Sequence, residues 1–227
     1  MLLLVVAILA GAAVAAMLPV MEPRTITVSG NRQVSRDEIL ARAQIDQQRN
    51  MWLQDTAAMA KRIEAIPFIS TAYVHRRPPS AIVIDVTERQ TFAIVASSGA
   101  PALQVDRDLR VLKSVAATGK FPVFVTKAPL RASPGDYLAD SEAIALRDDS
   151  VALADAGVVG ERFWHDKYGD LDVALPDGVQ LLLGDESDLA KRIPLVNPVL
   201  QQVGRTGKKI SAIDLRSPNT PIVVYKK

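Results

Sequence analysis

Between residues 25 and 88 the apolar positions change period several times, and each change marks an element. Ile26 and Val28 alternate with Thr25, Thr27 and Ser29, the period-two pattern of a half-buried strand. Gly30-Asn31 ends it, because both residues tolerate turn dihedrals. Ser35 with Glu38 three residues on forms a capping box, and Ile39, Leu40 and Ala43 behind it give one apolar helix face. Asp55 caps a second helix with Met59, Ile63 and Ile66 at helical spacing. Pro67 stops it, since the residue before a proline avoids the α region. Ala72 and Val74 then pair with Ile82, Ile84 and Val86 across the turn Arg77-Pro78-Pro79-Ser80. The order is strand, helix, helix, strand, strand. Two helices covering one face of a three-stranded sheet would bury all these apolar positions together.

Beyond Arg89 the pattern is mainly extended. Thr91–Val95 reads as a strand, and Pro101–Leu112 alternates around Asp106-Arg107-Asp108 as a hairpin. Phe121–Val125 is another strand, whereas Pro129–Tyr137, with its prolines and Pro-Gly pair, is a loop. Asp140 caps an Ala-rich helix over 141–156 that ends at Gly157. Residues 171–175 and 179–183 form a hairpin across Pro176-Asp177-Gly178. Residues 186–203 step by three and four through Leu189, Ile193, Val196, Leu200 and Val203. Pro194 and Pro198 fall inside that pattern, and each removes a donor at ~3 kcal/mol in a helix interior, so a kink or break is expected there. Ile210–Leu215 and Ile222–Tyr225 are the last strands.

The first 21 residues carry no charged side chain. At ~1.5 Å per residue they would extend roughly 31 Å as a helix, about the thickness of a bilayer's hydrocarbon core. This favours a membrane anchor over a signal peptide, which would want a basic start and a shorter apolar stretch. The flanking charges do not orient the segment. Arg24, just after it, argues weakly against an outward-facing body.

Composition narrows the functional classes. The chain has 227 residues, 48% of them hydrophobic, and a formal net charge of +2, so nothing draws it to nucleic acid. With no cysteine, disulfides, thiolate catalysis and Cys-ligated metals are excluded. The two histidines, His75 and His165, are far apart in sequence. His75 reads as an exposed strand-end residue, and His165-Asp166 reads as loop, because no nucleophile elbow accompanies it. Asp185-Glu186-Ser187-Asp188 is explained by capping and the helix dipole better than by a metal. The 204–209 loop has a phosphate loop's glycines and lysine without its spacing, and it follows a helix. Arg76-Arg77 reads as solvated, and Trp52 and Trp164 as core or satellite packing. No catalytic constellation, cofactor site or metal site emerges, and the expected protein is not an enzyme.

The run from Val28-Ser29-Gly30-Asn31 through Pro67, Ala72-Tyr73-Val74, the Arg-Pro-Pro turn and Val86-Thr87-Glu88-Arg89 resembles a POTRA domain. It is most similar to the single one of the FtsQ/DivIB bacterial cell-division family, which often has proline where this chain has Gln90. Leu175–Gln180, Leu183–Glu186, Pro198–Gln202 and Lys209–Arg216 resemble that family's β-domain. The implied fold class is α+β: a transmembrane helix at 1–22, a POTRA domain (β-α-α-β-β) at 24–90, and at 91–227 a β-domain, mixed α/β with a mainly antiparallel sheet. The resemblance implies a bitopic divisome scaffold in the bacterial inner membrane, held in the lipid bilayer by residues 1–21, with an extracytoplasmic body at the septum. Relatives usually carry a basic cytoplasmic tail before the anchor; here the sequence opens on the apolar segment, so either the true start lies upstream or the tail is dispensable. The implied partners are FtsB-like and FtsL-like single-pass coiled-coil proteins on the β-domain, and other divisome proteins on the POTRA domain.

Binding would use β-augmentation, in which a partner strand joins an exposed sheet edge. The candidate edge is Ile222, Val223, Val224 and Tyr225, approached past Arg216, Ser217, Asn219 and Thr220, with Tyr225 as aromatic anchor. The competing reading is that this strand simply completes the sheet while Lys226-Lys227 protect its edge. POTRA units also occur in outer-membrane assembly and secretion modules. That alternative needs a following β-barrel, and no series of ~10-residue alternating strands with aromatic girdles is present.

Overall fold

The computed structural model describes residues 21–116, 120–205 and 207–226, with the isolated positions 5, 6 and 11. The expected membrane anchor at 1–22 lies almost wholly outside the described residues. Among those residues no helix is long and apolar enough to cross a membrane. The chain divides into two compact units between Gln90 and Thr91.

The first unit runs β1 (Thr25–Ser29), α1 (Arg36–Ala43), α2 (Thr56–Glu64), β2 (Ile69–Arg77) and β3 (Ala81–Glu88), with a 3-10 turn at Met51–Leu53 between the helices. Its sheet has the order β1-β3-β2, with β1 parallel and β2 antiparallel to β3. Both helix starts form as their sequences dictate. Ser35 accepts from the Glu38 N–H at 3.1 Å, and Asp55 accepts from the Ala57 and Ala58 N–H groups at 2.9 and 3.0 Å. Ala72 lies opposite Val86 and Val74 opposite Ile84, the register that the alternation requires. Ile39, Ala43, Met59 and Ile63 from the helices and Ile66 just beyond α2 pack with Val74, Ile82, Ile84 and Val86 from the strands in one buried cluster.

Two residues of this unit are more than the sequence suggests. Arg76 is not simply solvated. Its guanidinium donates to the Met51 carbonyl at 2.8 Å and to that of Gln54 at 2.5 Å, so it closes the end of the 3-10 turn. Trp52 is not core: it is 50% exposed and lies over the Arg76 guanidinium at 5.5 Å, where cation–π attraction holds it.

The second unit is a nine-stranded mixed sheet with two helices. Its strands are β4 (Ala93–Ser97), β5 (Ala102–Val105), β6 (Val111–Val115), β7 (Val123–Thr126), β8 (Arg162–His165), β9 (Leu171–Ala174), β10 (Gln180–Gly184), β11 (Ile210–Asp214) and β12 (Ile222–Tyr225). Helix α3 (Ser141–Asp155) precedes β8, and α4 (Leu189–Gly204) follows β10. The spatial order is β12-β11-β10-β9-β8-β7-β4-β5-β6. Most neighbours are antiparallel; β4–β7, β7–β8 and β10–β11 are parallel. Ala143, Leu146 and Leu153 of α3 and Leu189, Ile193 and Val196 of α4 join Val95, Phe124, Phe163, Val173, Leu181 and Ile213 in one core. Residues of opposite parity, Ile94, Ala102 and Val123, form a smaller cluster, on the other sheet face by strand alternation.

Helix α4 departs from expectation. It runs unbroken through Pro194 and Pro198. Both prolines are exposed, so the carbonyls they free, those of Ala190 and Pro194, belong to the turns nearest solvent, where water can hydrate them. On the opposite side Ile193, Val196 and Val203 are buried. Burial of that stripe, at ~1.5–3 kcal/mol per side chain, outweighs two missing bonds. Strand β8 also corrects the sequence reading, because His165 ends a strand and does not sit in a loop.

Candidate partner-binding edge

The sheet has two rims, and their exposure differs. At the β6 rim the chain folds back over itself. The Val111 N–H donates to the Asp136 carbonyl at 2.8 Å, and the Gly135 N–H donates to that of Val111 at 2.8 Å. Arg110 bridges to Tyr137. At the opposite rim, among the described residues, β12 pairs with β11 alone.

The β11–β12 hairpin is built from the sheet outward. Ile213 and Leu215 are fully buried, and the Leu215 N–H donates to the Leu182 carbonyl at 2.9 Å, which fixes the hairpin base to β10. Arg216 then turns back on Asp214 in a two-pronged pair, Nε to Oδ1 at 3.0 Å and Nη2 to Oδ2 at 2.6 Å. This pairing holds the Asp214 carboxyl below its usual range, against a smaller opposing effect of burial. Arg216 rises correspondingly, with the same hydrogen bond as the leading cause. The Thr220 N–H donates to the Ser217 carbonyl at 3.1 Å and closes the turn. Asn219 and Thr220 are exposed.

Gly184 makes room for this arrangement. A Cβ there would lie 2.7 Å from Arg192 Nη1 and 3.3 Å from Arg216 Cγ, and its φ of +78° is one that side chains rarely adopt. Arg192 is buried and donates to the Leu183 and Asp185 carbonyls, both at 2.8 Å. It thereby ties α4 to the end of β10.

Along β12 the register is Asp214 to Ile222, Ile213 to Val223 and Ala212 to Val224, with a bulge before Ile210 meets Tyr225. Ser211 Oγ donates to the Val224 carbonyl at 3.1 Å, and the Lys226 N–H donates to the Lys209 carbonyl at 2.9 Å. Inward and outward main-chain groups alternate along an antiparallel strand. The groups of Val223 and Tyr225 therefore face away from β11. Ile222, Val224 and Tyr225 are 58%, 47% and 42% exposed, and the Lys208 ammonium lies 5.4 Å from the centre of the Tyr225 ring. A cleft of about 420 Å3 lined by Lys208, Lys209, Ile210, Lys226 and the end of α4 opens beside the strand.

The other sequence candidates resolve differently. Asp166 does not pair with His165. It accepts the N–H groups of Tyr168 at 2.7 Å and Asp170 at 3.0 Å within its own turn. His165 faces carboxylates: Nδ1 is 3.8 Å from Glu142, and Nε2 is 3.6 Å from Asp149. Asp149 raises the imidazole above its ordinary pKa against the cost of burial, with help from Glu142 and Glu186. Nor do the 185–188 carboxylates simply cap α4. Asp188 makes no capping bond and pairs with Lys191 at 2.6 Å, and Asp185 accepts the Ser187 hydroxyl at 2.7 Å. Sequence reading missed Asp149 because it sits mid-helix among alanines, with no local sign of a partner.

Residues 21–89 match the family model described as POTRA domain, FtsQ-type. Relatives described as cell division protein FtsQ match most of the chain. One from Bradyrhizobium diazoefficiens is 26% identical over 203 residues, 88% of this chain and 55% of the relative. One from Mycobacterium tuberculosis is 28% identical over 205 residues, 90% of this chain and 61% of the relative. A third, from Syntrophotalea carbinolica, is 41% identical over 70 residues, 31% of this chain and 25% of the relative. The chain thus spans 55% and 61% of the length of the first two. Residues 21–89 thus form an FtsQ-type POTRA domain, and the chain is similar to FtsQ proteins of the FtsQ/DivIB family along most of its length.

Proposed function

We propose that this protein is a non-enzymatic scaffold of bacterial cell division that binds by strand addition. Residues 1–21 anchor it in the cytoplasmic membrane, and both folded units lie outside the cytoplasm at the septum. The partner on the second unit is a single-pass coiled-coil protein of the FtsB or FtsL type, and an extended segment of it adds to β12. One observation carries the reading: β12 is the outermost strand of its sheet, and its exposed side chains are mostly apolar. An unpaired strand edge of this kind is a template for another chain. Tyr225 supplies a rigid aromatic contact. The first unit recruits other division proteins along the edge strand β2, where Tyr73 is 67% exposed and stacks at 5.3 Å on His75.

The test places a photo-crosslinking residue at Val223 in the source cell. The expected capture is a small single-pass coiled-coil protein. Tyr225→Pro should abolish that capture, because proline removes an outward donor from the edge, without shifting the melting temperature of the isolated protein. Crosslinks confined to the chain itself would overturn the reading.

A further inference from the structure

We propose that Asp149, His165 and Glu186 form a divalent-metal site of the zinc class in the second unit. Each of the three offers one ligand atom, and these atoms all lie within 4.8 Å of one another. They come from three separate elements: the middle of α3, the end of β8 and the turn between β10 and α4. The geometry at the centre is the wrong length for a hydrogen bond and close to the right one for a shared ion. His165 Nε2 and Asp149 Oδ2 are 3.6 Å apart. Two ligands on a tetrahedral zinc ion, each about 2.0–2.2 Å from the metal, are separated by about 3.4 Å.

Asp149 supplies the independent observation. The residue is only 7% exposed, and its Oδ2 is buried without a hydrogen-bond partner. The His165 imidazole faces this oxygen at 3.6 Å, beyond hydrogen-bond length, and a buried carboxylate oxygen without a hydrogen bond costs free energy that a shared cation would offset. The surroundings supply the rest of a metal centre. His165 Nδ1, the nitrogen turned away from Asp149, faces Glu142 at 3.8 Å, and Glu142 is itself held by the Lys127 N–H at 2.8 Å. A carboxylate behind a ligating imidazole fixes its tautomer and raises its basicity. Glu186 is exposed, so its side chain can swing in to complete a three-residue set, leaving water at the fourth position. Access is open, because Asp149 and Glu186 line a groove of about 650 Å3 between α3 and α4. One nitrogen and two carboxylate oxygens select zinc-like ions over magnesium or calcium, which prefer all-oxygen shells.

The ion would join α3, β8 and the start of α4, so binding would report itself as stability. The experiment uses the full untagged chain in mild detergent, stripped with chelator and titrated with Zn2+, Mg2+ or Ca2+ while its melting is followed. Zn2+ in about hundredfold excess over its dissociation constant should raise the melting temperature by roughly 5–10 °C, and the other two ions should not. Co2+ should give the visible absorption of a tetrahedral site. His165→Asn should abolish both signals. Glu186→Gln, at an exposed position that does not threaten folding, should weaken binding about tenfold or more. Absence of a Zn2+-dependent shift in the wild-type chain would overturn the proposal, leaving the His165–Asp149 pair as a plain ion pair. Binding unchanged in Glu186→Gln and His165→Asn alike would overturn it too, since the ion would then sit elsewhere.

Discussion

The Glu88 carboxylate accepts main-chain N–H groups from three consecutive residues, Arg32 at 2.8 Å, Gln33 at 3.0 Å and Val34 at 2.8 Å. It therefore staples the loop after β1 to the end of β3. Burial alone would raise its pKa, but the three N–H donors and the charge of Arg32 more than offset that and hold the group below the ordinary glutamate value of 4.5. A carboxyl whose folded pKa is depressed contributes stability that is present above its unfolded pKa and is lost as pH falls through the folded value. Denaturation of the wild-type chain should therefore steepen below about pH 4.5, and Glu88→Gln should flatten that limb while lowering stability at neutral pH. Equal acid slopes in the two proteins would contradict this account. The Glu-Arg pair was visible in the sequence only as a family resemblance. Its physical role depends on contacts across more than fifty residues, which no local pattern encodes.

At the scale of elements, the sequence was most readable where a local rule acts alone. Asp140 accepts the Ala143 N–H at 2.9 Å and starts α3, as its position before an Ala-rich stretch predicts. The Pro-Asp-Gly turn joins β9 to β10 through an antiparallel register. Legibility failed where a long-range term opposes a local one. Proline spacing argued for a broken α4, but burial of Ile193 and Val196 and the Asn197 amide donating to the Ala156 carbonyl at 2.7 Å hold it as one helix. Pro198→Ala should therefore stabilise the protein by about 1–2 kcal/mol. That is less than the ~3 kcal/mol propensity difference, because the freed carbonyl is hydrated and proline restricts the unfolded chain. The measure is the urea midpoint at constant slope, and a lower midpoint would show the proline to be favourable there. Strand β8 escaped notice because four residues next to a Tyr-Gly turn are too few to show a period.

For the whole molecule, the chain order of the strands other than β8 could be read from sequence but their spatial order could not. The parallel pairs β4–β7, β7–β8 and β10–β11 join segments separated by a hairpin or a helix. The candidate edge depends on that order, since Ile222–Tyr225 has the same alternation whether it lies inside a sheet or at its rim. The two units have separate buried clusters, with no residue in common. Gly30, in the first, has φ +84°, and a Cβ there would lie 1.9 Å from the Val86 carbonyl oxygen. Gly30→Ala should destabilise the first unit by about 2–4 kcal/mol. Hydrogen exchange should record faster opening across residues 25–88, with protection in 91–226 unchanged. Matching losses in both would mean that the chain unfolds as one cooperative body.

The hairpin at the sheet rim also determines how a tether fastened there would bear load. Strands joined side by side resist a pull along their own axis by sharing it among all their cross-links at once. A pull at right angles opens the same links one after another, like a zip. A partner segment laid along β12 would transmit axial tension through the β11–β12 ladder and the Leu215–Leu182 bond into the interior strands. The joint would then be strong in the direction of the strand and weak across it, so the angle of approach would decide whether it held.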